Sequence, residues 1–142
     1  MILIESTIKF PYSKKLIKAW LIEALDLFGF KLKKISINIV SQKKMLSLNS
    51  SYLNHSDDTD VISFSYTTKP RVSGEIFISD YMLELNSKKY RQTIDNEMVR
   101  LISHGVIHLM GHNDKSIKEK RFMIKLEDKF ISLFHVKHIK NV

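Results

Sequence analysis

The stretch "IDNEMVRLISHGVIHLMGHND", Ile94 to Asp114, decides how the rest of the chain is read. Apolar residues recur in it at intervals of three and four. Ile94, Met98, Ile102 and Leu109 fall on one stripe, with Gly105 inside that stripe, which predicts a core-facing helix over residues 94–111. His104 and His108 lie along one border of the stripe, together with Glu97 and Leu101. Four apart on a helix, the two imidazoles stack about 6 Å from one another. They can converge on a single ion at about 2.1 Å each. A helix that carries two such histidines at the edge of the core sets the expectation for the fold around it.

A third ligand cannot come from farther along the same straight helix. His112 keeps the spacing, but its Cα would stand about 12 Å from that of His104. The chain must turn, and Gly111 can turn it by adopting positive φ at the helix C-terminus. Asp114 is then placed to add a carboxylate oxygen, with His112 as its rival, since imidazole is the commoner zinc donor. Two histidines and a carboxylate leave a fourth position open, the mark of a catalytic rather than a structural site. The spacing is close to the H-E-x-x-H of zinc peptidases, whose Glu is the general base. Here that position is Gly105, which has no side chain to move a proton. A phosphodiester substrate needs that base less than a peptide does.

Working outward, "ILIEST" reads as a strand. Pro11 and Ser13 open a helix with Leu16, Ile17, Trp20, Leu21, Ala24, Leu25 and Phe28 on one face, closed by Gly29. "KISINIV" alternates Ile35, Ile37 and Ile39 with Ser36 and Asn38, the pattern of a half-buried strand. "KKMLSLNSSYLNH" reads as a short helix with Met45, Leu48 and Tyr52 on one side. "DVISFSY" and "GEIFIS" are two further strands joined by a polar turn at Lys69-Pro70. Helices follow at 80–91, 94–111 and roughly 116–134. The last is amphipathic, packing Ile117, Phe122, Ile124, Leu126 and Phe130 in part, and "HVKH" (His135 to His138) reads as tail. This order of elements predicts an α+β domain spanning residues 1–142, with a small mixed sheet of about four strands covered by helices.

Composition narrows the function. The 142 residues include no Cys, which excludes disulfides, Fe–S clusters and thiolate zinc sites. Any metal must be held by His and carboxylates. No apolar run reaches the length of a membrane span, and "MILIESTIKFPYSKK" lacks the pattern of a signal peptide, so the cytoplasm is the expected compartment. The net charge is +8. Residues 1–70 hold 10 basic and 6 acidic side chains, and residues 71–142 hold 13 and 9, so no basic tail is the source. Distributed positive charge on a small domain points to a polyanion, nucleic acid first.

The chain resembles the YbeY family, bacterial metal-dependent endoribonucleases that act in rRNA maturation. The family's H-G-x-L-H-L-x-G-Y-D-H is matched at His104, Gly105, His108, Leu109 and Gly111. Its L-N-x-x-Y is matched at Leu48, Asn49 and Tyr52, its T-D-V-L-S-F at Thr59, Asp60, Val61, Ile62, Ser63 and Phe64, and its G-D-I-x-I-S by "GEIFIS", Gly74 to Ser79. The resemblance implies one zinc ion per chain on His104, His108 and position 114, where most members have His and this chain has Asp114. It implies a cleft lined by Thr59, Asp60 and Ser63. It further implies a cytoplasmic enzyme, monomeric and away from membranes, that cuts single-stranded RNA, chiefly rRNA, in processing and in ribosome quality control. Lys115, directly after the third ligand, is the candidate phosphate contact, and Glu97 reads as a surface or helix-stabilising charge. Many members have Arg after the Tyr of L-N-x-x-Y; here the residue is Leu53, with His55 the nearest substitute. A non-catalytic RNA-binding assembly factor with a structural metal is therefore the alternative, and a metallopeptidase, disfavoured by Gly105, is a more distant one.

Overall fold

A computed structural model of the chain describes residues 1–53 and 58–140. The elements run β1 (Ile2–Ser6), α1 (Lys14–Asp26), β2 (Lys31–Val40), α2 (Gln42–Leu53), β3 (Val61–Ser65), β4 (Arg71–Ser79), α3 (Asp80–Lys89), α4 (Ile94–Leu109) and α5 (Ile117–Lys140). The strands form one sheet in the order β1-β2-β4-β3. β1 and β4 both pair parallel to β2, and β3 closes one edge antiparallel to β4. The sheet is therefore mixed and four-stranded, as the alternation of strands and helices predicts.

Register sorts the side chains. Ile2 lies beside Ile35, and Ile37 beside Ile76, so one sheet face is a continuous apolar surface of Ile35, Ile37, Ile39, Val72, Ile76 and Ile78. Full burial of each such side chain stabilises the fold by about 1.5–3 kcal/mol. α1 covers part of this surface with the face expected from its spacing, Leu16 to Leu25, and Ser13 caps it by accepting from the Leu16 N–H. The opposite face of the sheet carries Ile62, Phe64 and Phe77, against which α2 packs Met45 and Leu48. The side chain of Tyr52, expected beside them, lies outside the described residues.

α4 is more deeply seated than its own pattern suggests. It lies between the sheet on one side and α5 on the other, so Glu97, Met98, Val99, Leu101, Ile102, Ser103, Gly105, Val106, Ile107 and Leu109 are all buried. The first turn is exposed, with Ile94, expected within the buried stripe, 39% exposed, and Arg100, His104 and His108 are half-buried. Close approach is the cause. A Cβ on Gly105 would stand 2.8 Å from Cγ2 of Ile76 in β4, and one on Gly74 would stand 2.5 Å from Leu109. The sheet also holds the helix by its carbonyls. Ser63 Oγ donates to the Gly105 carbonyl at 3.2 Å, and Ser65 Oγ and Thr67 Oγ1 donate to that of Leu109 at 3.2 and 2.7 Å.

α5 packs on α4 and α1 rather than on the sheet, and this changes which of its residues are inside. Its buried face is Met123, Leu126, Glu127, Phe130 and Phe134. Ile117, Phe122 and Ile124, expected to share in the packing, point to solvent, with Ile117 74% exposed. The Trp20 indole N–H reaches across from α1 to the Phe130 carbonyl at 2.8 Å. The helix also continues through "HVKH", which is not tail: the His138 ring stacks on Phe134 and stands edge-on to Tyr12.

The tight seat of α4 is testable by adding one carbon. Gly105→Ala gains up to about 1 kcal/mol of helix propensity. It also forces Ile76 aside, at an overpacking cost of about 1–3 kcal/mol. Thermal melts should show a net loss of stability. An unchanged or raised Tm would mean that α4 can shift away from the sheet.

Candidate metal centre

Two helix-end motifs shape the site. At the end of α4 the Gly111 N–H bonds to the His108 carbonyl at 2.9 Å and the His112 N–H to the Ile107 carbonyl at 3.3 Å, with Gly111 at φ 105°. This is the paired bonding of a Schellman motif, which needs a left-handed residue, supplied most cheaply by Gly. At the start of α5 the Ser116 hydroxyl accepts from the Glu119 N–H at 3.0 Å, and the Glu119 carboxylate accepts from the Ser116 N–H at 2.9 Å. This is a reciprocal capping box. Those hydrogen bonds hold the Glu119 carboxyl below its usual pKa. The segment carrying Asp114 is thus tied at both ends.

Between these ties three ligand-type atoms meet. His104 Nε2 and His108 Nε2 are 3.0 Å apart, and Asp114 Oδ2 lies 3.2 Å from the first and 3.6 Å from the second. Among the described residues this trio is the group of three His or acidic side chains placed to share an ion, and each member is half-buried. Four donors placed tetrahedrally at about 2.0–2.1 Å from an ion are about 3.3–3.4 Å from one another. The observed separations bracket that value, so the residues fit a small divalent cation.

Protons point the same way. His108 Nδ1 lies 2.7 Å from the His112 carbonyl, which can only accept. Nδ1 therefore carries the hydrogen, and a neutral His108 presents a lone pair at Nε2. His112 enters the site through this backbone oxygen, while its ring stands against Phe122 at 5.3 Å between centroids. Burial, with Lys69 and His108 nearby, lowers the His112 pKa. Nδ1 of His104 lies 2.6 Å from Glu127 Oε2. Burial alone would lower the His104 pKa, but the Glu127 hydrogen bond and the charges of Glu127, Asp114 and Asp60 together outweigh it and raise it.

Behind the histidines lies a polar network that the sequence pattern did not reveal. Arg100 makes two bonds to Glu97, at 2.8 and 2.7 Å, and stands 3.7 Å from both Asp60 and Glu127. The Glu97 hydrogen bonds push the Arg100 pKa still higher than usual. Asn86 donates to Asp60 at 3.0 Å and to Glu97 at 3.2 Å. Glu97 is 2% exposed, so it is no surface charge but the buried partner of Arg100. Asp60, Glu97, Asp114 and Glu127 bring four formal negative charges against the single cation of Arg100, a net −3 with neutral histidines. A divalent ion would reduce that to −1. A signal for Glu127 did exist: it sits inside the apolar stripe of α5, where an unpaired carboxylate would be costly.

Asp60 belongs to this network, through Arg100 and Asn86. Ser63 directs its hydroxyl to α4 rather than to open solvent. Thr59 is half-buried, and Lys115 is exposed directly after Asp114. His55 lies outside the described residues, as does the side chain of Leu53. A cleft of about 470 Å³ opens beside Arg100 and Glu127, lined also by Tyr90, Gln92 and Asn96. It lies on the network's side and is not lined by the three converging residues. No helix among the described residues is long and apolar enough to cross a membrane.

The family model described as Endoribonuclease YbeY matches residues 4–135. An Endoribonuclease YbeY of Phocaeicola vulgatus is 35% identical over 127 residues, 89% of this chain and 92% of that protein. One from Bacteroides thetaiotaomicron is 34% identical over 114 residues, 80% of this chain and 83% of its own. The solution structure of a Thermotoga maritima protein superposes with a TM-score of 0.68 at 23% identity, covering 99% of this chain and 93% of that one, which shows a shared fold. With the family match spanning nearly all of the sequence and relatives above 30% identity over most of their length, the chain belongs to the YbeY endoribonuclease family.

Proposed function

We propose that this chain, one domain over residues 1–142, is a metal-dependent endoribonuclease that binds one zinc ion through His104, His108 and Asp114. It acts as a monomer in the cytoplasm, on single-stranded segments of rRNA, during ribosome maturation and quality control. The observation that carries the reading is the convergence of three lone-pair atoms in a cluster with net negative charge. The family's endoribonuclease activity supplies the substrate class. When bound, the ion would supply Lewis acidity toward a phosphodiester and activation of its attacker.

The chain's own residues select and orient. Gly105, where a peptidase would place its general base, is pressed against Ile76. A carboxylate there would collide with the sheet, so the peptidase route has no proton acceptor at that position. Asp114, on its doubly tied segment, keeps its carboxylate aimed at both Nε2 atoms. Lys115 is exposed on the same segment, and the net charge of +8 favours approach of an RNA backbone.

Metal uptake tests the ligand set. His108→Ala should lose stoichiometric zinc, whereas His112→Ala should keep it, because alanine retains the main-chain carbonyl that orients His108. The opposite pattern would move the third ligand to His112. Affinity measured by chelator competition should fall as pH drops, since protons displace the metal from His. Because the His104 pKa is raised, the fall should begin above the ordinary histidine value of about 6.5.

Cleavage separates an enzyme from a binder. Chelator should abolish cutting of single-stranded RNA while leaving binding largely intact. Leu53, where many relatives have Arg, favours a second reading, a non-catalytic assembly factor. Metal-loaded protein that retards RNA in a gel and never cuts it would establish that reading. Cutting of a peptide at a comparable rate would instead favour a peptidase.

Backbone contacts should make log K fall linearly with log salt, at about −0.7 per phosphate on single strands, or about −2 to −3.5 for three to five contacts. Lys115→Gln should flatten the slope by about 0.7 and weaken all RNAs alike. An unchanged slope would remove Lys115 from the interface.

A further inference from the structure

We propose that Glu127 is a positioning residue of the metal centre. It holds His104 in the tautomer whose Nε2 bears the lone pair, and Arg100 holds Glu127. The inference rests on the metal-site reading above and extends it to a residue on a different helix from the two histidines.

A neutral imidazole can carry its proton on either nitrogen, and only the form with a bare Nε2 can ligate from that atom. In His108 the choice is made by the backbone, because the His112 carbonyl demands a donor. In His104 it is made by a side chain. Nδ1 lies 2.6 Å from Glu127 Oε2, the separation of a short charge-assisted bond, so Nδ1 carries the proton and Nε2 faces His108 and Asp114 bare. If His104 were the other tautomer, its Nε2–H would point at Asp114 and close the cluster to a cation. Carboxylates that accept from a ligating histidine in this way orient the ring and raise its basicity as a ligand.

Packing shows that the contact is built rather than incidental. Glu127 is only 6% exposed and shares a helix face with Met123, Leu126, Phe130 and Phe134. A carboxylate is costly there unless paired. Its second oxygen stands 3.7 Å from Arg100 Nη1. The planar guanidinium is itself locked by two bonds to buried Glu97, and Glu97 by Asn86. A continuous chain of contacts thus runs from Asn86 on α3, through Glu97 and Arg100 on α4, to Glu127 on α5 and back to His104. α5 contributes no ligand, yet on this account it sets the chemistry of one.

The test compares wild type with Glu127→Gln and Glu127→Leu, each checked for a native circular dichroism spectrum. In metal-free wild type labelled with ¹⁵N-histidine, at a pH where the ring is neutral, the His104 resonances should show a protonated Nδ1 and a bare Nε2. Glu127→Leu should show both tautomers. Zinc affinity by chelator competition should fall about 10-fold in Glu127→Gln, whose amide oxygen still accepts, and by up to about 100-fold in Glu127→Leu. A folded Glu127→Leu protein that binds zinc as tightly as wild type would overturn the proposal. So would a wild-type His104 protonated at Nε2. Should Glu127→Leu fail to fold, the near-isosteric Gln variant decides, and unchanged affinity there counts against Glu127. Wild type that takes up no zinc would sink the metal-site reading itself, and the His104 resonances would still report whether Glu127 sets the tautomer.

Discussion

The close seating of α4 on the sheet is the constraint on which the rest depends. Where Gly105 meets Ile76 and Leu109 meets Gly74, side chains have been removed on one partner so that the other can pack. The helix then lies close enough for Ser63, Ser65 and Thr67 to reach its carbonyls. α5 closes over the outer side of α4, and burial extends around nearly the whole helix. His104 and His108 are the half-buried exceptions near its C-terminal end. Their position at the boundary between core and solvent follows from how little room α4 has, and the same contact excludes a catalytic carboxylate next to His104.

Electrostatics then turn a buried helix into a site. Folded proteins seldom bury carboxylates, and this one buries Glu97 two turns before His104 on α4 and Glu127 against His104 from α5. Arg100 compensates part of the charge, and Asn86 supplies neutral hydrogen bonds. The remainder is left for a cation at the Nε2 cluster. Each carboxylate alone would oppose folding. Together with the guanidinium they make a rigid polar network that orients the ligand-type atoms before any ion arrives, the arrangement that lowers the cost of binding one.

The third ligand-type atom illustrates a different economy. Asp114 has a short side chain, so its backbone must be brought close and held. The Schellman motif after α4 and the capping box before α5 do this from either end of a short segment, using Gly111, Ser116 and Glu119. A histidine at this position would reach farther, and the turn could then be looser. The carboxylate also adds a negative charge where the network already has an excess, which favours a divalent ion over a lone proton.

Much of this was legible in the sequence. The period of Met98, Ile102 and Leu109 marked the helix, the i, i+4 histidines marked the edge where the ligand-type atoms meet, and Gly111 marked the turn. These features are local: each follows from backbone geometry within a dozen residues. The alternation of Ile35, Ile37 and Ile39 and the face of α1 were likewise local and gave the α+β class. What the sequence did not disclose depended on which surfaces meet. α5 lies on α4 and α1, not on the sheet, so its inward face is rotated: Met123, Glu127 and Phe134 are inside, whereas Ile117, Phe122 and Ile124 are out. Glu97 reads as a surface charge until Arg100 and Asn86 are placed around it. The pairing of Glu127 with His104 joins residues 23 positions apart, on helices whose relative rotation no one-dimensional pattern encodes. Periodicity determines which residues share a face, and only packing decides what that face meets.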